Sequence, residues 1–233
     1  MTSPSVLFYN AYVRNNWKAV TGSLLSNVPH HDIFVHVNID WFNLFKLPDA
    51  VRFLKGIPRV RSVLVTMNVK KLGEVSGFIK LRNAVALNRY EVLTYMHSKG
   101  VTKPDNENIK DWVELMRFFI VDQYELTIDA FNRGFELYGV NLGSNTATAE
   151  KYGPYQFSDF HYSGNFVTVN LAALRSSFQQ TAVDQDYFGV EGFWGKLTDI
   201  SKAYNAHDSG KRIANHYVER YPEHFYKQAI AEK

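Results

Sequence analysis

The stretch YEVLTYMHSKG (Tyr90–Gly100) decides the fold. Its first seven residues form an apolar run that is typical of a strand buried on both faces, as in a parallel sheet. A histidine, a serine, a lysine and a glycine follow directly. Because open α/β sheets bind ligands beyond the carboxyl ends of their strands, we expect His97 and Lys99 to face an anion, with Gly100 allowing close backbone approach. The alternative is a solvated lysine beside a histidine that binds a backbone carbonyl.

Strand and helix patterns alternate on both sides of this stretch. Alternating or continuous apolar residues predict strands in residues 5–10, 32–40, 61–68, 90–96, 135–141 and 165–170. Helical spacing predicts helices in residues 17–25, 77–90, 109–119 and about 122–135, and a polar helical tail from Asp199. This order predicts an α/β fold with a central, mostly parallel sheet flanked by helices, as a single domain over residues 1–233.

Composition excludes several classes of function. The 233 residues are 45% hydrophobic and 21% charged, as in ordinary soluble proteins. The net charge of +3, without a basic run, gives no indication of a nucleic-acid partner. The absence of cysteine excludes disulfides and thiolate metal sites. No apolar stretch approaches the roughly 20 residues that span a bilayer, and no signal peptide is recognisable, so we expect a cytoplasmic protein without membrane insertion.

Familiar nucleotide, hydrolase and metal motifs are missing. No Gly-x-Gly-x-x-Gly follows the first strand, and there is neither a phosphate-binding Gly-Lys-Ser/Thr loop nor a Gly-x-Ser-x-Gly elbow. The histidines show no ligand spacing, and the Asp-x-Asp at Asp184–Asp186 does not follow a strand. The identity of any metal is therefore unknown, and a glycosidase with two carboxylates stays open.

Two polar groups outside the 90–100 stretch are candidates for ligand contact. Tyr9 and Asn10 end the first strand, with Arg14 close behind. Lys80, Arg82 and Asn83 interrupt a helix, where asparagine is unfavourable unless it makes a specific contact. A plain turn and a solvated helix face are the respective alternatives.

Two further segments carry candidate site residues. The densest polar cluster is DFHYSGNF, which contains His161, Ser163, Gly164 and Asn165. Asp111 and Glu191 are candidate general bases, and Glu191 is followed by aromatic residues that would suit a sugar ring. For the Asp-x-Asp just before it, helix capping or solvated loop charge is the alternative. Residues 142–159 form a long loop rich in small polar residues, which we expect to be a lid or disordered.

The order of these motifs resembles a family of glycosyltransferases from bacteria and large DNA viruses. YMHSKGV, KDWVELMRFF, YGVN, FHYSGNF and DYFGVEGFW correspond to the family's Tyr-x-His-Ser/Thr-Lys-Gly-Val, Asp-Trp-Arg-x-x-Met, Gly-Val-Asn, His-x-Ser-Gly-Asn-Phe-Trp-Trp and late Glu-aromatic motifs. The likeness covers residues 9–196. The chain is also similar to the capsid-glycosylating enzymes of chlorella viruses, whose N-terminal domain has the GT-A fold.

The resemblance implies transfer of a sugar from a nucleotide-sugar donor, with a UDP-sugar favoured, to a glycan or glycoprotein acceptor such as a viral capsid protein. Tyr9, Asn10 and Arg14 would then contact the nucleotide, and Lys80, Arg82 and Asn83 its ribose or phosphates. His97 and Lys99 would bind the diphosphate, while His161, Ser163, Gly164 and Asn165 would shape the sugar pocket. Either Asp111 or Glu191 would be the base.

The sequence departs from the family at two points. Val167 and Thr168 replace the paired tryptophans, so we expect the acceptor to differ from that of the family. His97 and Lys99 occupy the place where other GT-A enzymes carry a metal-binding Asp-x-Asp, so a manganese or magnesium cofactor is not firmly implied. A non-catalytic sugar- or nucleotide-binding module of the same shape is therefore the main alternative.

Overall fold

The computed structural model describes residues 3–144, 159–211 and 215–231. The strands in these ranges are β1 (Ser5–Tyr12), β2 (Asp32–Ile39), β3 (Val60–Met67), β4 (Val92–His97), β5 (Leu137–Gly139), β6 (Leu142–Ser144), β7 (Phe160–Tyr162), β8 (Val167–Asn170) and β9 (Ala203–Asn205). The α-helices are α1 (Trp17–Leu25), α2 (Leu47–Lys55), α3 (Val75–Ala84), α4 (Glu107–Arg117), α5 (Tyr124–Asn132), α6 (Leu171–Gln180), α7 (Gly189–Phe193) and α8 (His224–Ala231).

Seven strands form one sheet in the order β3-β2-β1-β4-β8-β5-β9. Strands β1 to β4 are mutually parallel, as are β5 and β9. Strand β8 runs antiparallel to both of its neighbours. Strands β6 and β7 form a separate antiparallel pair. The predicted α/β fold with a mostly parallel sheet is therefore confirmed.

Side-chain alternation along the strands divides the core into two layers. In β1, Leu7 and Tyr9 face one layer and Val6 and Phe8 face the other, and all four are fully buried. Helices α1, α2, α4, α5 and α8 contribute buried residues to the first layer, and α3, α6 and α7 to the second. Helices on both faces explain why β1 and β4 are apolar along nearly their whole length.

The chain reverses its direction of progress across the sheet between β1 and β4. From β1 it moves outward to β2 and β3, and then returns through α3 to place β4 on the other side of β1. The carboxyl ends of β1 and β4 are adjacent, since Asn10 pairs with His97. Such a reversal leaves a crevice beyond these strand ends, where ligands of α/β sheets bind.

The structure differs from the sequence-based prediction mainly after residue 120. The predicted helix 122–135 is α5, which begins at Tyr124 after a π-helical turn, Phe118–Asp122. The strand predicted over 135–141 is only the three residues of β5. The predicted helical tail is wrong in its first part, because β9 extends the sheet there by pairing with β5. Helices α2, α6 and α7 were not predicted.

Two further sequence-based expectations concern the loop and the membrane. Most of the predicted lid, residues 145–158, lies outside the described residues. No helix in the described part of the chain is both long and apolar enough to cross a bilayer. The extent of the domain, residues 1–233, stays a prediction.

Candidate functional site

A cleft of about 510 Å³ opens at the carboxyl ends of β1 to β4, at the reversal point of the sheet. Its walls come from the strand ends, the segment that leads into α3, the segment between β4 and α4, and two tyrosines from later in the chain. The lining residues are Asn10, Tyr12, Arg14, Asn38, Asn68, Lys70, Gly73, Glu74, His97, Ser98, Lys99, Gly100, Val101, Thr102, Lys103, Ile109, Tyr187 and Tyr217.

The cleft is rich in cationic side chains that lack a carboxylate partner. Arg14, Lys70, Lys99 and Lys103 line it, and none of them forms an ion pair with another described residue. The only carboxylate in the described part of the wall is Glu74. Unpaired cations gathered in one concave surface attract an anion with several charges, such as a diphosphate.

Aromatic rings hold two of these lysines in place. The Lys99 ammonium lies 4.0 Å from the ring centre of Trp112, which is buried, and 5.9 Å from that of Tyr217. The Lys103 ammonium lies 4.6 Å from the Tyr217 ring centre. Cation–π contacts orient an ammonium group without neutralising it. Both ammonium groups are therefore positioned in the cleft without a carboxylate partner among the described residues.

Glu74, which the sequence analysis did not single out, connects the walls of the cleft. It precedes α3, and its carboxylate accepts hydrogen bonds from the Tyr95 hydroxyl (2.7 Å) and the Asn165 amide (2.9 Å). Its other oxygen lies 2.6 Å from Nδ1 of His97. Its backbone carbonyl accepts a hydrogen bond from the Asn10 amide at 3.3 Å. Glu74 thus joins α3 to the ends of β1 and β4 and to the segment before β8.

The two ring nitrogens of His97 both face acceptors. Nδ1 faces the Glu74 carboxylate, and Nε2 lies 3.1 Å from the Gly164 carbonyl oxygen. Groups of the protein thus hold both nitrogens. His97 is therefore not free to bind a phosphate directly, and it instead connects the end of β4 to Glu74 and to Gly164.

The environments of Glu74 and Glu191 shift their pKa values in opposite directions. Burial by itself would raise the pKa of Glu74, but the charge and hydrogen bond of His97, the hydrogen bond of Tyr95 and the charge of Lys99 hold it below its usual value. Burial raises the pKa of Glu191, and the charge of Glu74 adds to this, while Lys99 and His97 act in the opposite sense. Paired groups with divergent pKa values are typical of acid–base sites.

Glu191 lies in the first turn of α7 and is not one of the residues that line the cleft, although the charges of Glu74, His97 and Lys99 affect its pKa. Its side chain makes no hydrogen bond or ion pair with the described residues, in contrast to Glu74. The aromatic residues that follow it, Phe193 and Trp194, are fully buried in the core. The expectation that these aromatic rings stack on a sugar is therefore wrong.

The HYSGN segment lies behind the cleft rather than in its wall. The Asn165 amide binds Glu74, and its oxygen accepts a hydrogen bond of 2.6 Å from the Trp194 indole. The Gly164 carbonyl binds His97. Ser163 is buried, and its hydroxyl has no hydrogen-bond partner among the described residues. His161 is buried in β7, and burial lowers its pKa to about 4. Of the predicted sugar-pocket residues, Gly164 and Asn165 therefore act on the cleft, through His97 and Glu74 respectively.

Tyr9 is not brought to the cleft. It is fully buried, and its hydroxyl lies 3.1 Å from that of Thr21 in α1. In a strand covered on both faces, a tyrosine in the middle faces the core, whereas Asn10, closer to the strand's carboxyl end, faces the cleft. The assignment of Tyr9 to nucleotide contact is corrected accordingly, and Asn10 and Arg14 stay candidates.

The group on α3 is also outside the cleft. The Lys80 ammonium donates a hydrogen bond to the Val65 carbonyl (2.7 Å), and the Arg82 guanidinium donates to the carbonyls of Phe178 and Thr181 at the end of α6. Asn83 is exposed. These contacts attach α3 to its neighbours, so the assignment of this group to ribose or phosphate binding is corrected.

Asp111 is occupied by a structural ion pair. Its two oxygens accept hydrogen bonds of 2.6 and 2.9 Å from the Arg220 guanidinium, and the backbone N–H of Tyr221 adds a third at 2.9 Å. Because three donors already use this nearly buried carboxylate, it is unsuited to act as a general base. This leaves Glu191 as the better candidate of the two predicted bases.

The Asp-x-Asp residues have local roles. Asp184 forms an ion pair of 2.5 Å with Lys196, and Asp186 accepts a hydrogen bond of 2.9 Å from the backbone N–H of Phe188. These contacts agree with the capping and loop-charge alternative. Among residues 3–144, 159–211 and 215–231, no group of three or more histidine, aspartate or glutamate side chains is placed to hold a metal ion.

Several lining residues were not identified from the sequence, and only some of them carried a weak signal. Glu74 follows a glycine with φ of +50° at the start of a helix, a position typical of a tight turn at a site. Lys103 lies four residues after Lys99 in the same segment. Tyr187 and Tyr217 are distant in sequence, and no local pattern identifies them.

Comparisons with known proteins add only a limited likeness. No model of a protein family matches the chain. No protein of curated function matches it either. Among solved structures, the chain is similar to 4-diphosphocytidyl-2C-methyl-D-erythritol synthase from Anaerococcus prevotii, with a TM-score of 0.45 and 11% sequence identity over 99% of this chain and 97% of that chain. A likeness at this level carries no argument about activity.

Proposed function

We propose that the protein is a glycosyltransferase that transfers a sugar from a nucleotide-sugar donor to a glycan or glycoprotein acceptor. The observation that carries this proposal is the cleft at the reversal point of the sheet. Its polar floor is surrounded by four cationic side chains that have no carboxylate partner among the described residues: Arg14, Lys70, Lys99 and Lys103. A nucleoside diphosphate has the charge and size that such a cleft accommodates. The order of the motifs described above supports the further expectation that the nucleotide carries a sugar and that this sugar is transferred.

The donor diphosphate is placed against Lys99 and Lys103. In the reaction, the bond between the anomeric carbon and the diphosphate oxygen breaks, and negative charge builds up on the departing nucleoside diphosphate. Fixed ammonium groups stabilise that charge because they need no reorganisation during the step. In this proposal lysines supply the charge that a metal supplies in other enzymes of the type.

Glu191 is assigned as the general base in an inverting reaction. The acceptor hydroxyl attacks the anomeric carbon and its proton passes to the Glu191 carboxylate. A raised pKa makes a carboxylate a stronger base at neutral pH, which supports this choice over Glu74. The absence of a hydrogen-bond partner for Glu191 among the described residues supports it further, since its oxygens are not already used.

Thermal shifts with UDP-, GDP-, dTDP- and CMP-sugars test the donor site, with UDP-sugars as the first expectation. A ligand present at 100 times its dissociation constant adds about 2.7 kcal/mol of stability. Stabilisation by one nucleotide class that persists in Lys202→Gln and disappears in Lys99→Ala would support the site, since Lys202 is exposed and lies outside the cleft. Manganese and magnesium are added in parallel, and a strict metal requirement would contradict the lysine assignment.

A non-catalytic binding module is the second candidate, favoured by the ion pair that occupies Asp111. Because the Asp111 carboxylate is already bound to Arg220, turnover depends on Glu191 as the general base. Slow release of free sugar from the stabilising donor, lost in Glu191→Gln, would support the enzyme. Donor binding without hydrolysis or transfer would support the module, and cleavage of aryl glycosides without nucleotide would instead indicate a glycosidase.

A further inference from the structure

An exposed aromatic turn follows β2 at the same edge of the sheet as the cleft. The 3-10 helix Trp41–Lys46 directs three large side chains outward. Trp41, Phe42 and Phe45 are 77%, 69% and 76% exposed. Single exposed apolar residues are ordinary, but three aromatic rings within five residues form a patch that water solvates poorly.

This patch continues onto the end of β3. Met67 and Val69 are also exposed, and Met67 pairs with Ile39 in the sheet. Asn68 joins the two segments, since its backbone N–H donates to the Ile39 carbonyl at 2.9 Å and its amide donates to Asp40 at 2.8 Å. The turn and the residues after β3 therefore form one surface, here called the aromatic rim.

Three lysines belong to the aromatic rim. Lys46 ends the 3-10 helix, and Lys70 and Lys71 directly follow Val69 and are exposed. None of the three forms an ion pair with another described residue. The acidic residue of this surface, Asp40, is 7% exposed and already accepts hydrogen bonds from Tyr12 and Asn68. The exposed charge of the rim is therefore positive.

We propose that the aromatic rim docks the protein on the surface of an anionic lipid bilayer. Tryptophan and phenylalanine rings enter the headgroup region of a bilayer, and lysines and arginines near the surface attract anionic lipids. The charge argues against a second copy of the chain as the occupant, since two copies of this basic surface would repel each other. Docking here is peripheral and requires no membrane-spanning helix.

Docking would bring the cleft close to the lipid headgroups. Lys70 belongs to the aromatic rim and also lines the cleft, as does Asn68. If the proposed function holds, an acceptor attached to a lipid becomes accessible to the donor site. The docking itself does not depend on that function and is measured without any nucleotide or sugar.

Tryptophan fluorescence gives a specific readout. Trp17, Trp112 and Trp194 are at most 4% exposed, so Trp41 is the one tryptophan of the chain in contact with water. Vesicles of phosphatidylcholine with phosphatidylglycerol should shift its emission to shorter wavelength and pellet the protein on centrifugation. Vesicles of phosphatidylcholine alone should do so far less, and added salt should weaken the binding.

Variants connect the binding to the aromatic rim. Phe42→Ala combined with Phe45→Ala should reduce vesicle affinity at least about tenfold while Trp41 still reports on the binding. Phe225→Ala, which removes a half-exposed aromatic residue on α8, should leave the affinity unchanged. Because Phe42 and Phe45 are exposed, the double variant should keep the melting temperature of the wild type.

Three results would overturn the proposal. One is the absence of a fluorescence shift and of pelleting with anionic vesicles. Another is equal vesicle binding by the wild type and the Phe42/Phe45 double variant. The third is a concentration-dependent dimer in gel filtration that the double variant abolishes, since the occupant would then be a second copy of the chain.

Discussion

The Nδ1 atom of His97 lies 2.6 Å from an oxygen of the Glu74 carboxylate, which links the carboxyl end of β4 to the start of α3. Tyr95 and Asn165 donate to the other carboxylate oxygen, and the Gly164 carbonyl accepts from the far side of the His97 ring. This chain of hydrogen bonds fixes the floor of a cationic cleft. Of the charged residues around it, some are held in structural ion pairs and others have no such partner and are left for a ligand.

Replacement of Glu74 by glutamine should lower the free energy of unfolding by about 2 kcal/mol at neutral pH, since hydrogen bonds to a charged group are lost. The pKa of Glu74 is lowered in the folded protein, so its stabilising contribution is present above the unfolded-state pKa. That contribution disappears as the pH falls through the folded-state pKa. Urea denaturation of wild type and Glu74→Gln should therefore give curves that converge in acid.

The matched control for Glu74 is Glu107→Gln, which removes an exposed partner of Lys110. Exposed ion pairs contribute little, so this change should be small at every pH. A Glu74→Gln variant with wild-type stability at neutral pH would contradict the role given to the Glu74–His97 pair.

Replacement of Glu191 by glutamine should have the opposite effect on stability. Because its folded-state pKa is raised, ionisation of Glu191 destabilises the fold as the pH rises from the unfolded-state pKa to the folded-state pKa. Glu191→Gln should accordingly melt at the same temperature as the wild type or higher at neutral pH. Glu125→Gln, an exposed change in the first turn of α5, serves as the control.

The same Glu191 variant tests the proposed chemistry. Loss of a general base should reduce kcat by about 10² to 10⁴-fold with little change in donor binding. The wild-type rate should fall in acid with a midpoint above the usual carboxylate range, because the pKa of Glu191 is raised. Full activity of Glu191→Gln on an identified donor and acceptor would exclude this base.

Replacement of Asp111 by asparagine should affect stability rather than chemistry. The bidentate contact with Arg220 and the bond to the Tyr221 N–H attach the C-terminal segment to α4, and their loss should reduce the free energy of unfolding by about 1 to 3 kcal/mol. In a double-mutant cycle, Arg220→Ala and Asp111→Asn should be strongly non-additive. A large fall in kcat at unchanged stability would instead restore Asp111 as the base.

Substitution of two glycines with nearly equal φ angles distinguishes the effect of backbone strain from the effect of close packing. Gly164 has φ of +93° and Gly134 has φ of +90°. A Cβ on Gly164 would lie 2.3 Å from the Met116 sulfur and 3.1 Å from the Trp112 ring, whereas a Cβ on Gly134 would meet nothing within 4 Å. Gly134→Ala should lower stability by about 1 kcal/mol and Gly164→Ala by clearly more, as measured by thermal unfolding. Equal losses would show that Met116 and Trp112 move aside.

Local sequence patterns were sufficient for the parallel strands β1 to β4 and for the position of the cleft. The apolar runs of β1, β2 and β4 reflect burial on both faces, which is a property of each strand and its immediate sequence. Because the carboxyl ends of parallel strands meet at one edge, Asn10, Arg14, His97 and Lys99 could be placed together from their positions alone. The three-residue strands β6, β7 and β9 are too short for a periodic signal, and pairing with neighbours determines them.

What the sequence by itself determined is therefore the α/β order, the parallel core of the sheet and the basic character of the strand end at His97 and Lys99. Only the tertiary structure decided which charged side chains are free. Asp111 and Glu191 are alike as sequence signals, but Arg220, 109 residues from Asp111, occupies the first, while no described side chain pairs with the second. Contacts across such separations depend on the packing of whole elements, which no local pattern encodes.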